Sequence, residues 1–268
     1  WDRFDADYKQ TLAPISAFSR VDEMPNWRPA LVYKPVQAGS IYFSYGDSFN
    51  PSAESLSLSA TTASLPPEKN NNYEAGTKWE LLAGRLSVRS ALFRTEKVNA
   101  REPDPNNPLL NILSGNQRVQ GIETEVTGKV TDHWQVFSGY AYLDSKLVSS
   151  KGYPAAVGSQ LANVPRNTFN LWNNYEFPWH LAVGAGAQFV DSRTASSTAP
   201  LDPATGLVKK IPGYWIFNAM ARYPLSDRID LQANLYNIGD KYYYDQIHPG
   251  HIVPGAGRYA TIGLNFKF

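Results

Sequence analysis

The side chains that most resemble a reactive centre are two histidines separated by a turn. His248 and His251 flank Pro249 and Gly250, and imidazoles at close spacing are common metal ligands. A metal site needs its ligands on a rigid scaffold, whereas a Pro-Gly pair between them indicates a turn. The sequence therefore favours two solvated loop histidines over a metal centre.

Two further patterns resemble catalytic motifs, but a β-structure explains them better. Glu123 and Glu125 are spaced as neighbours on one face of a strand, which predicts two carboxylates on a polar wall and not an acid–base pair. Gly184 and Gly186 resemble part of a phosphate loop, but they lie in the run LAVGAGA and no helix signature follows. We interpret them as interior-facing or strand-bending glycines. No pattern in the chain predicts an enzyme.

Composition excludes several classes of protein. Aromatic residues make up 13% of the 268 residues, yet no apolar run approaches the roughly 18 residues of a membrane helix. The absence of cysteine excludes disulfides and thiolate chemistry, and it suits a chain that crosses an oxidising periplasm. A net charge of +1 gives no electrostatic reason to expect nucleic acid as a partner.

Apolar and polar residues alternate along most of the chain. At 229–236, Ile, Leu, Ala and Leu alternate with Asp, Gln, Asn and Tyr, and this period of two predicts strands with one apolar and one polar face. Runs such as 84–97 and 119–130 contain the roughly 9–11 residues that a tilted strand needs to cross a bilayer. A soluble sandwich shows the same alternation, so the pattern alone does not separate the two architectures.

The connections between these runs come in two sizes that alternate. Short turns are predicted at 34–39, 81–84, 131–133, 178–180 and 224–228. Long polar connections are predicted at 11–26, 50–72, 99–116, 145–165, 192–212 and 242–256. Outer-membrane barrels combine short periplasmic turns with long outer loops. We therefore predict an all-β fold, a transmembrane antiparallel up-and-down β-barrel with about twelve strands in this chain.

Aromatic residues gather near the predicted strand ends, as in the bands that fix a barrel at both membrane surfaces. They are Trp27, Tyr33, Trp79, Trp134, Tyr175, Phe177, Trp179, Tyr214 and Trp215. The last strand ends at Phe268, which the turn pattern places at the periplasmic rim. Trp1 opens inside an alternating run, and an unpaired barrel strand would expose its edge to lipid. We expect the chain to continue upstream or to pair with another chain.

A series of segments, taken in order, resembles consecutive barrel strands of TonB-dependent siderophore receptors. They are IYFSYGDSFNP at 41–51, LPPEKNNNYEAGTKW at 65–79, GRLSVRSALFRTEK at 84–97, QRVQGIETE at 117–125, LANVPRNT at 161–168, PGY at 212–214, LQANLYNIGDKYY at 231–243 and the final strand. The segment 242–258, with its HPGH and PGAGR runs, most resembles catecholate receptors of the Fiu type.

The resemblance implies an outer-membrane barrel of about 22 strands that imports ferric siderophores. Residues 1–268 would form a C-terminal portion of this barrel, without the N-terminal plug. The implied partners are the ferric siderophore, the TonB system through the absent N-terminal region, and lipopolysaccharide or other outer-membrane lipid. No cofactor is implied, because the ferric siderophore is the transported ligand.

The implied ligand suggests its own site residues. A ferric catecholate is anionic, bulky and aromatic, so its site should offer cations and ring faces on the outer loops. Candidates are Arg101, Arg193, Lys209, Lys210, Arg258, Tyr153, Tyr243, Tyr244, His248 and His251. Loop cations also contact lipopolysaccharide phosphates or water. Arg118 and Arg166 belong to the strand motifs and are expected to be structural.

The sequence leaves two other functions open. A passive porin-like channel needs no energy coupling, and this part of a barrel suits it equally well. A surface receptor for a phage or bacteriocin is compatible with either kind of transport. A plug and a TonB-binding segment upstream would favour the importer, whereas further strands alone would favour the channel.

Overall fold

The computed structural model describes residues 1–11, 16–51, 65–104, 106–198, 208–248 and 250–267. Nearly all regular structure in them is β, with one short 3-10 turn at Pro154–Ala156. No helix in these ranges is long and apolar enough to span a membrane. The strands are β1 (Asp2–Gln10), β2 (Ser16–Met24), β3 (Ala30–Val36), β4 (Gly39–Asn50), β5 (Glu68–Leu81), β6 (Leu86–Asp104), β7 (Asn107–Lys129), β8 (Trp134–Ser150), β9 (Asn167–Glu176), β10 (Ala182–Val190), β11 (Arg193–Thr194), β12 (Lys210–Ile211), β13 (Tyr214–Ser226), β14 (Ile229–Tyr236), β15 (Tyr244–Ile247), β16 (Ile252–Pro254) and β17 (Tyr259–Phe266).

Eleven of these strands form one antiparallel sheet in the order β17-β14-β13-β10-β9-β8-β7-β6-β5-β4-β3. Each long strand therefore pairs with its neighbours along the chain, which is an up-and-down topology. β1 pairs with β2 in a separate hairpin. The segment between β2 and β3 continues along β4, because Trp27 O and Pro29 O accept hydrogen bonds from Asp47 N and Tyr45 N. β2 and β3 thus follow one path, and the prediction of about twelve strands is confirmed.

Short turns lie at one end of the sheet, as predicted, but the long connections differ from the prediction. β6 and β7 continue to Asp104 and from Asn107, so most of the predicted loop at 99–116 is a paired extension. β2 likewise occupies most of the predicted loop at 11–26. Hairpins β11–β12 and β15–β16 lie within two other predicted loops. These polar segments pair because backbone hydrogen bonding does not require an apolar side-chain pattern.

The two faces of the sheet differ in chemistry. On β14, Asp230 and its alternate neighbours share a polar face with Lys267, whose Nζ lies 3.0 Å from the Asp230 carboxylate. The opposite face carries Ile262, Leu264 and Phe266, of which Ile262 is 78% exposed. A soluble sandwich would bury this apolar face against a second sheet. The fold is the predicted transmembrane type, with apolar side chains pointing outward.

Aromatic side chains form a band at each end of the apolar face. At the short-turn end the rings of Tyr175 and Phe177 are 5.0 Å apart, and Trp134 Nε1 donates to Asn173 at 3.1 Å. At the other end the rings of Phe189 and Trp215 are 4.9 Å apart. These positions agree with the predicted bands. Tyr214 was wrongly assigned to a band, because it is buried against Tyr243 on the face opposite Trp215. The terminal Phe268 lies outside the described residues.

Candidate functional site

Three connections at the long-connection end of the sheet pack against one another. The β10–β13 and β14–β17 connections meet around the buried side chains of Ala195, Ile211 and Ile247. The β8–β9 connection joins them through hydrogen bonds. Tyr244 and Ile252 pack against these three buried side chains. We call these five residues the mouth cluster. Because these apolar side chains are buried against one another, the two connections form one packed unit.

Hydrogen bonds reinforce this unit. Asn163 Nδ2 donates to Ile247 O at 2.8 Å, and Asn163 N donates to Thr194 O at 3.0 Å. Asn163, in the β8–β9 connection, is therefore hydrogen-bonded to both of the other connections. Asn163 has a φ of 59°, a left-handed conformation that asparagine tolerates better than most residues.

Arg193 lies beside the mouth cluster among tyrosines. Its Nη2 donates to Tyr244 O at 3.1 Å, and its buried Nε has no hydrogen-bond partner among the described residues. The rings of Tyr214 and Tyr243 are 4.4 Å apart in the same region. A guanidinium with remaining donor capacity thus lies close to phenol rings.

Lys209 and Lys210 lie on the same hairpin as Arg193. Lys209 O accepts a hydrogen bond from Ala195 N at 2.9 Å, and Lys210 pairs with Thr194 in the β11–β12 ladder. Both lysine side chains are exposed. The structure therefore brings these three predicted cations onto one hairpin at the mouth.

Asp191 carries a negative charge at the base of this hairpin. Partial burial opposes ionisation, but hydrogen bonds from Asn167 and Ser192 outweigh it and hold the pKa of Asp191 below its usual value. The nearby Lys210 acts in the same direction. The hairpin therefore carries three cations, with the Asp191 carboxylate at its base.

Tyr243, Tyr244 and the two predicted histidines follow on the next hairpin. Burial, followed by the charge of Asp245, raises the pKa of Tyr243, so its phenol stays protonated at neutral pH. The rings of His248 and His251 stack 4.8 Å apart at the exposed hairpin tip, where His248 N donates to His251 O at 2.9 Å. Pro249 between them lies outside the described residues. No group of three potential ligands forms a metal site in the described ranges.

Arg101 and Tyr153 belong to a second polar cluster, apart from Arg193. Arg101 N donates to the Glu68 carboxylate at 2.8 Å, and Lys97 pairs with the same carboxylate at 2.8 Å. Tyr153 N donates to Ser150 Oγ at 2.8 Å. Ser150 Oγ in turn donates to the buried carboxylate of Glu102, the residue next to Arg101, at 2.7 Å. These contacts hold the paired extensions of β5 to β8 together.

Arg258 occupies a third position, at the start of β17. Its backbone N donates to Asp240 at 2.8 Å, and its Nη1 lies 3.5 Å from Ile238 O. Both contacts fasten the last strand to the turn after β14. The sequence analysis grouped Arg258 with the outer-loop candidates because of its position, whereas its contacts connect the start of the last strand to the turn after β14.

The polar face also carries a recess that sequence reasoning missed. Its volume is about 420 Å³, and its lining includes Phe137, Trp172 and Gly186. Glu125 lines the same recess, and Glu123 lies two residues along the same face of β7. The polar-wall interpretation of both carboxylates is therefore confirmed. The alternation of β9 contained the signal, because Trp172 shares its face with Asn170 and Asn174.

Comparison with known proteins identifies the architecture. The family model described as TonB dependent receptor-like, beta-barrel matches residues 1–238. The chain belongs to this family. The polar face is therefore the barrel lumen, the apolar face contacts outer-membrane lipid, and the short turns face the periplasm.

A similar curated relative is the probable TonB-dependent receptor BfrD of Bordetella pertussis, 37% identical over 93% of this chain and 34% of the relative. The siderophore receptor PiuA of Acinetobacter baumannii has a solved structure with a TM-score of 0.86 and 31% identity, covering 97% of this chain and 38% of that one. The closed form of the ferric-catecholate import receptor Fiu of Escherichia coli K12 has a TM-score of 0.81 and 30% identity, covering 95% and 36%. The chain spans about a third of the length of the curated relatives that it matches.

Proposed function

We propose that the receptor containing this chain imports ferric siderophores of the catecholate class, driven by TonB. The observation that carries the proposal is the grouping of Arg193, Lys209 and Lys210 with Tyr243 and Tyr244 at the outer mouth. Relatives named as siderophore and catecholate receptors support it. The function proposed is transport, without a catalytic step.

Physical chemistry explains why this grouping suits the ligand. Three deprotonated catechols around one ferric ion carry a net negative charge and present flat rings at the surface. A guanidinium offers planar donors to anionic oxygens and stacks on rings, and lysines add flexible charge. Tyrosines offer ring faces and, when protonated, hydroxyl donors. Arg193, with a buried unpaired Nε among the described residues, is the first residue we assign to the ligand.

The other candidates contribute in different ways under this proposal. His248 and His251 lie at the tip of the hairpin that carries Tyr244, so we assign them to first encounter with the ligand. Arg101, Tyr153 and Arg258 have structural backbone contacts, and their side chains are secondary candidates. We further propose that residues 1–268 form the C-terminal part of the barrel. In this proposal the plug and the TonB contact belong to the rest of the receptor, and lipopolysaccharide contacts the outer wall.

Binding of a ferric catechol chelate tests the proposal. The full-length receptor carrying Arg193→Gln, Lys209→Gln and Lys210→Gln is compared with wild type by quenching of tryptophan fluorescence. We expect the triple variant to bind at least about tenfold more weakly, because the loss of even one charge-assisted contact costs about 1.5–3 kcal/mol.

The control variant removes three cations far from the mouth, with Lys34, Arg85 and Arg228 changed to Gln. We expect it to bind as wild type does. Because Arg193 also contacts Tyr244 O, the double variant Lys209→Gln/Lys210→Gln is measured in parallel as a milder change. Unchanged affinity in the triple variant would show that the mouth is not part of the binding site.

A further inference from the structure

The tip of the β15–β16 hairpin carries two imidazoles on one face. His248 N donates to His251 O at 2.9 Å, so the two residues lie opposite each other, one step beyond the Ile247–Ile252 pair of the ladder. Side chains opposite each other on two antiparallel strands share a face, with Cβ atoms about 4.5–5.5 Å apart. The two rings are accordingly stacked, with centroids 4.8 Å apart and an angle of 11° between their planes.

The backbone next to this pair is fixed by packing and by a hydrogen bond. Ile247, which precedes His248, is 1% exposed, and Asn163 Nδ2 donates to Ile247 O at 2.8 Å. Ile252, which follows His251, packs in the same mouth cluster. Each histidine is therefore next in the chain to a residue that the neighbouring connections hold in place. The structure thus supplies a scaffold that the Pro-Gly turn did not indicate in the sequence.

Both imidazoles are accessible to an ion in solution. Successive side chains of a strand alternate between its two faces, so His248 and His251 point away from the mouth cluster. Both side chains are exposed, and neither ring makes a hydrogen bond to the part of the chain that the structure describes. Their neighbours on the same face, Gln246 and Val253, are uncharged. These neighbours therefore do not repel a cation.

Two imidazoles at this spacing suit a divalent transition-metal ion. Imidazole is a favoured ligand of Ni²⁺, Cu²⁺ and Zn²⁺. A zinc–nitrogen bond is about 2.0–2.1 Å long, so two nitrogens on one ion are at most about 4.2 Å apart. The ring centroids of His248 and His251 are 4.8 Å apart. Rotation of the exposed rings about their broad χ2 torsions covers the difference without movement of the backbone.

We propose that His248 and His251 bind one divalent transition-metal ion of this class, taken from solution and not as a chelate. Water completes the coordination, because the described residues offer no third His, Cys, Asp or Glu ligand there. An ion held by both rings joins the two strands of the hairpin at its tip. A turn alone requires neither imidazole. The inference does not rest on siderophore transport, because neither the chelate nor TonB takes part.

Binding of Ni²⁺ by the purified full-length receptor, prepared without a histidine tag, tests the proposal. Wild type, His248→Gln and His251→Gln are titrated with nickel chloride in detergent by isothermal titration calorimetry. The control is His133→Gln/His180→Gln, which removes the other two of the four histidines in the chain, both at short turns at the opposite end of the barrel. Magnesium chloride is titrated in parallel, because Mg²⁺ prefers oxygen ligands.

We expect each single variant to bind Ni²⁺ at least about tenfold more weakly than wild type and the control, because one of two protein ligands is lost. Bound Ni²⁺ should also slow amide hydrogen exchange in β15–β16 of wild type, whereas Mg²⁺ should not. Both positions are exposed, so the substitutions leave the fold intact. Unchanged Ni²⁺ affinity in either single variant would overturn the proposal, as would equal protection of the hairpin by Mg²⁺.

Discussion

Gly186 lies beneath the ring of Trp172 on the luminal face of β10. A Cβ placed on Gly186 would come within 2.3 Å of that ring and 3.0 Å of Leu171 O. Gly184 has the same relation to Trp172, at 2.7 Å. At the residue scale, these glycines let a large luminal ring lie flat against the barrel wall.

We therefore predict that Gly186→Ala lowers the stability of the full-length receptor by about 1–3 kcal/mol, because the added methyl overpacks a fixed contact. The measurement is the urea midpoint of the folded receptor in detergent. Gly139→Ala is the matched control on the same face, since a Cβ there meets nothing within 4 Å. Equal stability of the Gly186 variant and wild type would show that Trp172 moves away freely.

The sequence could predict that these glycines are not a phosphate loop, because no helix follows them. It could not predict Trp172 as their reason, since that contact depends on the register of β9 against β10. Arg118 is a similar case. The sequence could not predict that the strand registers place it between Glu96 on β6 and Lys146 on β8.

At the scale of elements, the outer hairpins β11–β12 and β15–β16 are short and would be marginal alone. They are held by Ile211 and Ile247, each 1% exposed, and by the hydrogen bonds of Asn163. The outer connections around the mouth are therefore coupled, and loosening one hairpin should loosen its neighbours.

We predict that Ile247→Ala speeds amide hydrogen exchange in β11–β12 and in residues 158–164, as well as in its own hairpin. Removing this buried side chain costs about 2–5 kcal/mol, which exceeds what two-residue ladders supply. Val253→Ala is the control, because that side chain lies on the same hairpin and is 38% exposed. Faster exchange confined to β15–β16 would contradict the coupling.

Alternation in the sequence predicted the strands that cross the membrane, because lipid imposes an apolar face on them. It predicted the outer ends poorly. Above the membrane, Arg101 and Glu102 still pair across β6 and β7, but both faces there are wet or covered by loops. Apolar and polar residues therefore do not alternate in this segment, and the sequence does not indicate a strand there. The predicted loop at 99–116 is too long for this reason.

At the scale of the whole molecule, the mouth combines residues that are far apart in the chain. Arg193 and Tyr244 are 51 residues apart, and Asn163 and Ile247 are 84 apart. The ligand implied by the family resemblance, together with residue type and loop position, identified the cations and rings as candidates. Their division into a mouth group, a β5–β8 group around Arg101, and a strand terminus at Arg258 followed from loop packing, which the sequence does not display.

Under the proposed function, the receptor moves a ferric catecholate through this barrel with energy supplied through TonB. The most direct test is uptake of radiolabelled iron, given as its catechol complex, by cells whose sole importer for it is the full-length receptor. We expect uptake that is lost when TonB is deleted and reduced by the triple substitution at Arg193, Lys209 and Lys210. Uptake that continues at the same rate without TonB would contradict it and identify a passive channel.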